Sequence, residues 1–410
     1  MSHEYDIFGK TLAVHESRDK VADASSKALR YEYDIIDRLT KTDYTELADS
    51  SNNEPVALEY VYNTKGLLIE IAATLKSGQT TKKATLRTYE YDGFGKPVLV
   101  KDFYAFAQGN TSKYTLKTYK YDVYDRLVSM TLADSASPST AKESFAFTYD
   151  KNSNTLSERH INAYVTPKTD ETRKYSYDAC GRLVKSAITD NVANKTTTSQ
   201  YGYDKAGNRR IETVDGISTY SYYNGLNQLT LKQGGKPEST STYFYDENGN
   251  QTIEKVGNNN VTSFAYDVSN QITRVSSQNK VINTNTYNSA GQRISKTDAK
   301  GAMTKYFYQG GAVLYTEDAN NGKTTFNLMG GADNVIASKR YKDKYADKYF
   351  AYTKDARGST INILSDAGTS IATYRYSDYG ETERTGDSTF ANEIAYTGGI
   401  YDEDTTLYYL

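Results

Sequence analysis

The chain of 410 residues contains no tryptophan, one cysteine, five prolines and three histidines. A single cysteine forms no internal disulfide and says almost nothing about redox compartment. No apolar run approaches the ~20 residues of a membrane helix, and the mean hydropathy is −0.72. Neither sign of charge dominates: 49 basic and 51 acidic residues leave a net charge of −2. That balance excludes the global field that nucleic acid or an anionic membrane would need. The opening "MSHEYDIFGK" has no basic stretch and no apolar core of an export signal. A site of action outside the cell would therefore be reached as part of a larger exported protein.

What is present is tyrosine, 40 residues against 12 phenylalanines. Tyrosine suits pleated, half-buried surfaces, where the ring packs and the hydroxyl finds a polar partner. So many aromatics argue against disorder. The composition points to an all-β chain.

Self-similarity gives the organisation. Units begin "YDIFGKTL" at Tyr5, "YDIIDRLT" at Tyr33, "YNTKGLLI" at Tyr62, "YDGFGKPV" at Tyr91 and "YDVYDRLV" at Tyr121. They continue as "YDKNSNTL" at 149, "YDACGRLV" at Tyr177, "YDKAGNRR" at Tyr203 and "YYNGLNQL" at 222. The series ends with "YDENGNQT" at Tyr245, "YDVSNQIT" at Tyr266, "YNSAGQRI" at 287 and "YQGGAVLY" at 308. Spacings are 28, 29, 29, 30, 28, 28 and 26 residues, then 19, 23, 21, 21 and 21. Residues 1–308 are thus a tandem array, with a long-period half (1–204) and a short-period half (205–308).

Each unit reads as one β-hairpin. Residues before the turn alternate, as in Tyr175-Ser176-Tyr177, with one face aromatic. An Asp or Asn follows (Asp6, Asp34, Asp92, Asp122, Asp178, Asp204, Asp246, Asp267), whose side chain bonds the backbone ahead and starts a turn. Three residues on stands Gly9, Gly95, Gly181, Gly207 or Gly249, which tolerates positive φ, or a small polar residue such as Asp37 or Asn270. A polar or basic residue such as Arg182 leads into the return strand. Hairpins with an aromatic face are unstable alone and must continue into one sheet. A sheet of that many strands twists and coils. The expected fold is a long, coiled antiparallel sheet, a partial shell. Residues 309–348 read as an irregular connection, and residues 349–410 as a distinct C-terminal segment.

Three features invite chemistry and each has a plainer reading. Cys180 could be a nucleophile activated by His160. Its repeat position, however, accepts Phe8, Ile36, Lys65, Phe94, Tyr124 and Ala206 in other copies, so an incidental thiol is expected. "DENGNQTIE" (246–254) superficially resembles a calcium loop, but its Gly is at the wrong offset and the stretch aligns with the hairpin turns. Asp402, Glu403 and Asp404 are expected in a solvated turn. Neither a catalytic set, a metal site nor a cofactor motif is expected.

The YDxxGR-type units resemble the tyrosine–aspartate repeats of Rhs proteins. "YTKDARGSTINILSDAGTSIATYRYSDYGET" is similar to that family's core segment, through Asp355, Gly358, Ser359, Asp366, Gly368, Tyr374, Tyr376 and Gly380. "AYTGGIYDEDTTLYYL" resembles the start of the motif closing that core, through Tyr396, Gly398, Tyr401, Asp402, Tyr408 and Tyr409. The resemblance runs from Tyr5 to Leu410.

It implies a β-sheet cocoon of the kind found in bacterial polymorphic toxins, insecticidal toxin complexes and teneurins. In the bacterial members the cocoon encloses a toxic C-terminal polypeptide. The expected partner is therefore a toxin cargo, with no nucleic acid and no membrane span, and the expected role is a non-enzymatic scaffold, secreted or at the cell surface. The chain has no Asp-Pro dipeptide, so the family's autoproteolytic aspartates lack a counterpart, and it is expected to stop before the cleavage motif. Two alternatives stand beside this reading. Tyrosine-lined surfaces also suit carbohydrate, in a surface adhesion module, and exposed edge strands allow self-association.

Overall fold

The computed structural model describes residues 2–7, 9–16, 27–48, 53–235, 240–257, 260–331 and 334–409. Phe8 and Leu410 lie outside the described residues. The regular structure is almost all strand. Among the described residues one sheet runs from β1 (Ser2–Tyr5) to β32 (Thr382–Gly386), 32 strands in all. Each strand pairs antiparallel with its neighbours in sequence, as β13 (Thr169–Tyr177), β14 (Leu183–Asp190) and β15 (Lys195–Tyr203) do. A separate small hairpin, β33 (Ile400–Asp402) with β34 (Leu407–Tyr409), follows. The expected all-β coiled sheet is what the chain forms, and the sheet is not closed into a barrel.

The turns have one geometry. In the unit at 177, Gly181 N donates to Asp178 O at 3.0 Å, and Asp178 N donates to Arg182 O at 3.0 Å. The Asp178 carboxylate accepts from the backbone N–H of Cys180 and Arg182, both at 2.9 Å. This is a type I turn followed by a left-handed residue, a three-residue hairpin loop with a G1 bulge, and the pairing register shifts between Ser176 and Tyr177 as a bulge requires. The left-handed position has φ of +85° at Gly9 and Gly95, +76° at Gly181, +90° at Gly207 and +86° at Gly249. Asp37, Asp125, Ser153, Asn227 and Asn270 take the same position with φ between +61° and +69°, as short polar side chains can.

The apolar core is made by the two ends of the sheet. Among the described residues it joins buried side chains from Val14 to Phe147 with others from Leu314 to Tyr401, and none in between. The sheet therefore curls until its first third faces its last quarter. Tyr44 donates to Gln309 Oε1 at 2.9 Å, and Lys339, fully buried, meets Glu54 at 2.6 Å. Burial of that pair is tolerable because each charge has an opposite partner.

Residues 309–348, expected to be irregular, continue the meander. They hold β26 (Ala312–Asp318), β27 (Lys323–Met329), β28 (Val335–Arg340) and a short 3-10 turn at Asp343–Tyr345. Their pattern was hard to read because burial is two-sided. Every residue of β28, "VIASKR", is buried, so alternation disappears; Lys339 points into an ion pair with Glu54, and Arg340 donates to Thr325, the Ala391 carbonyl and the Tyr352 hydroxyl.

Candidate functional site

The tyrosine of each repeat reaches backwards. Tyr203 Oη donates to Leu183 O at 2.7 Å, and Leu183 opens the return strand β14 of the preceding unit. The β14–β15 ladder begins only at Lys185, so this carbonyl would otherwise lack a partner. Among the described residues, at least thirteen tyrosines from Tyr33 to Tyr376 make the same bond at 2.5–3.0 Å. Tyr5, at the first unit, is largely exposed. A phenylalanine would pack at these positions but could not donate, which accounts for the bias towards tyrosine. In the unit placed at 222 the donor is Tyr223, not Tyr222, and its acceptor is Arg209 O. The register therefore starts one residue later than the sequence alignment put it.

The residue after the left-handed position reaches forwards. Arg182 Nε holds Asp178 at 2.7 Å while its guanidinium lies 4.6 Å from the centre of the Tyr203 ring. Arg38 covers Tyr62 and Arg126 covers Tyr149 in the same way, at 4.5 and 4.8 Å. In later units Asn208 and Asn250 donate to Asn227 and Asn270 of the next turn, at 2.9 and 2.8 Å. One motif thus carries a link back, a shaped turn and a link forward. The sequence reading found the pattern but not these links, whose signal was that Tyr rather than Phe opens every unit.

The C-terminal residues singled out from sequence lie on the last strands and turns of the sheet and on the segment and small hairpin that follow it. The Asp355 carboxylate shapes a turn of the same kind, accepting from Arg357 and Ser359 N–H, with Gly358 at φ +84°. Buried Ser359 accepts from Thr397 N–H at 3.1 Å. Asp366 accepts from Gln108 at 3.2 Å, and a Cβ on Gly368 would meet Tyr104. Tyr374 is paired with Asn392 at 3.0 Å, and Gly380 lies under the Tyr396 ring. Gly398 sits at φ +83°, and the rings of Tyr401 and Tyr408 are 4.8 Å apart.

Asp402 is not in a solvated turn. It is 1% exposed and accepts from Arg293 Nη2 at 3.0 Å and from Lys296 Nζ at 2.8 Å. Tyr409 stacks over the same guanidinium at 3.7 Å. Nearby, Tyr306 donates to Glu393 at 3.0 Å; burial, then the Glu393 charge, pushes the Tyr306 hydroxyl well above its ordinary pKa. The acidic run looked hydrophilic because the partner of Asp402 is more than a hundred residues earlier in the chain. Cys180, by contrast, is exposed at a turn tip. His160 sits on β12 (Thr155–Asn162), 2.9 Å from Glu143 and stacked on Phe145. Among the described residues no group of three or more His, Cys, Asp or Glu could hold a metal ion, and no helix is long and apolar enough to cross a membrane.

The family model described as Teneurin YD-shell matches residues 103–410, well over half of the chain. The chain belongs to this family. The tRNA3(Ser)-specific nuclease WapA of Bacillus spizizenii is 31% identical over 244 residues, 57% of this YD-shell and 10% of that protein. The tRNA nuclease WapA of Bacillus subtilis is 30% identical over the same length and the same shares. The chain thus matches about a tenth of these relatives' length. The crystal structure of TcdB2-TccC3-TEV is similar over 99% of this YD-shell and 26% of that chain, at 16% identity and a TM-score of 0.39.

The YD-shell has a half-open pocket of about 810 Å³ between β12–β15 and the C-terminal strands. Glu158, Glu171, Arg173 and Tyr175 line one wall, and Arg357 and Arg375 the other. Glu158 meets Arg357 across it at 3.0 Å, and Glu171 meets both Arg173 and Arg375. Burial opposes ionisation of Glu171, but the two guanidiniums outweigh it and hold the carboxyl below its usual range. This volume falls within the roughly 300–1,000 Å³ of small-ligand sites. It has room for a small molecule or a short extended peptide, not for a folded domain.

Proposed function

We propose that this YD-shell is a non-enzymatic container that encloses or presents a toxic polypeptide cargo carried by the same exported protein. The observation that carries the proposal is closure: the sheet wraps until Glu54 and Lys339 meet, so the chain has an inside walled by strands. Several charges facing that inside are paired, Glu54 with Lys339, Glu171 with Arg173 and Arg375, and Glu158 with Arg357, which weakens their hold on a charged ligand. The relatives named as tRNA nucleases are far longer than their matching part, in keeping with a shell segment beside a separate toxic segment. A glycan-binding role draws less support. The repeat tyrosines donate their hydroxyls to backbone, and cations cover several of their ring faces.

The test is protection. A short extended passenger peptide carrying a protease site, fused after Leu410, is expected to resist cleavage until the shell is opened with denaturant. A passenger peptide cleaved as fast as the free peptide would overturn the container reading. Binding to a glycan array that is lost on Tyr→Phe changes at exposed Tyr220 or Tyr222 would replace it with the adhesion reading.

A further inference from the structure

All repeat turns lie on one rim of the sheet, because the meander returns to the same edge after every hairpin. Successive turns touch: Lys10 meets Asp37, and Lys96 meets Asp125 at 2.7 Å. Being two strands apart, turns stand roughly 10 Å from each other, and the first five span about 40 Å. The two residues at the tip of each turn point away from the sheet. Polar residues are the rule at such positions.

Four of the first five tips, all but the third, break that rule. Ile7, Ile35, Ile36, Phe94, Val123 and Tyr124 are exposed by between 64% and 101%. Later tips are mostly polar or small, such as Lys151-Asn152, Lys205-Ala206, Glu247-Asn248 and Ser289-Ala290, with Leu226 and Val268 as isolated exceptions. Two apolar patches flanking one polar tip on an otherwise polar rim mark an interface.

The order along the row says what covers it. Turns one and two are apolar, turn three carries Thr64 and Lys65, and turns four and five are apolar again. The pattern reads the same in both directions about turn three. A two-fold axis through turn three sets turn one against turn five of a second copy and turn two against turn four, which is the self-complementarity an isologous interface needs. The area is also sufficient. Roughly 100 Å² from each of the four aliphatic side chains and ~150–250 Å² from each aromatic come to about 700–900 Å². A stable interface buries ~800 Å² per partner. The charges beside the apolar tips are paired within each copy, Lys10 with Asp37, Arg38 with Asp34, Lys96 with Asp125 and Arg126 with Asp122; exposed Lys65 at turn three is the exception, and its like-charge repulsion across the axis is screened by salt.

We infer that the rim formed by the first five turns binds a second copy of this chain, giving a two-fold dimer. The full chain should sediment as a dimer at micromolar concentration. The double substitution Ile35→Asp/Phe94→Asp should weaken that dimer about a hundredfold or more, with an unchanged circular dichroism spectrum, whereas Val268→Asp should leave it intact. In a Cys180→Ser background, Thr64→Cys beside the axis should oxidise to a covalent dimer. A monomeric wild-type chain, a dimer that survives the double substitution, or a non-covalent dimer in which the Thr64→Cys variant forms no cross-link would each overturn the inference. Sedimentation with neutral lipid vesicles in place of a dimer would overturn it in favour of a membrane surface.

Discussion

Tyr203 donates its hydroxyl to the carbonyl of Leu183, 2.7 Å away and one hairpin earlier, while its ring carries the guanidinium of Arg182. Two neighbouring units are thereby fastened through one side chain, and the same bond recurs along the array.

Replacing such a tyrosine by phenylalanine keeps the packing and deletes the bond. Tyr245→Phe or Tyr121→Phe should each cost about 1 kcal/mol, read as a lower urea midpoint with unchanged slope. The two changes, in distant units, should add. Tyr5→Phe, at the exposed first unit, should be nearly neutral. A neutral Tyr245→Phe would show that packing alone selects the tyrosine.

The left-handed turn position should separate conformation from contact. A Cβ at Gly207 would meet nothing within 4 Å, yet φ is +90°. Gly207→Ala should therefore cost about 1–2 kcal/mol through backbone strain alone. Asp125→Gly, which relieves φ of +66°, should cost far less. Thermal denaturation of both variants measures the difference. Cys180→Ser, one residue before this position in its own turn, should leave the melting temperature unchanged.

The C-terminal hairpin hangs on a buried charge pair. Arg293 and Asp402 are each 1% exposed. Arg293→Met alone strands the carboxylate beside only Lys296 and should cost about 3–5 kcal/mol. Arg293→Met combined with Asp402→Leu should recover much of that loss. Hydrogen exchange of residues 400–409 should accelerate in the single variant and slow again in the double.

Lys354 occupies the place where other units have their tyrosine, and it is buried. Its Nζ is 3.0 Å from Thr360 Oγ1. Burial, reinforced by the charges of Lys117 and Arg87 and only partly opposed by Asp355, pushes its pKa down to about 7 from 10.5. The unfolded chain therefore binds more protons at this site between pH 7 and 10.5, so its contribution to stability rises with pH across that window and is flat below it. Lys354→Met should stabilise the chain at pH 7, and its advantage over wild type should shrink towards pH 10. An advantage independent of pH would show that Lys354 is not buried as a charge.

The repeat was legible because its parts are local. Asp178, Gly181 and Arg182 act within one turn, and spacing alone reveals them. The neighbouring Tyr222 and Tyr223 are indistinguishable to such a reading, since only the direction of a hydroxyl separates them. Where burial became two-sided, as in Val335–Arg340, alternation vanished and the strands were missed. Asp402 was misplaced for a different cause: its environment is set by Arg293, and no local pattern carries that information. The apolar tips were in plain view, but a turn reads as solvent until the rim that aligns it is known.

A sheet in which every strand pairs only with its sequence neighbours has consequences for the order of folding. Each hairpin needs only a short loop to close, so structure can grow unit by unit as the chain leaves the ribosome. The contacts that seal the curl span far more chain: Tyr44 waits for Gln309, 265 residues later, and Glu54 for Lys339, 285 residues later. Assembly and sealing are therefore separate events: pulse-labelled hydrogen exchange should find strand amides protected well before the Tyr44 side chain, buried by the sealing contacts, becomes inaccessible to tyrosine-modifying reagents. Until Lys339 arrives the coil is a ribbon with an accessible inner face, and a guest segment has its easiest moment to enter.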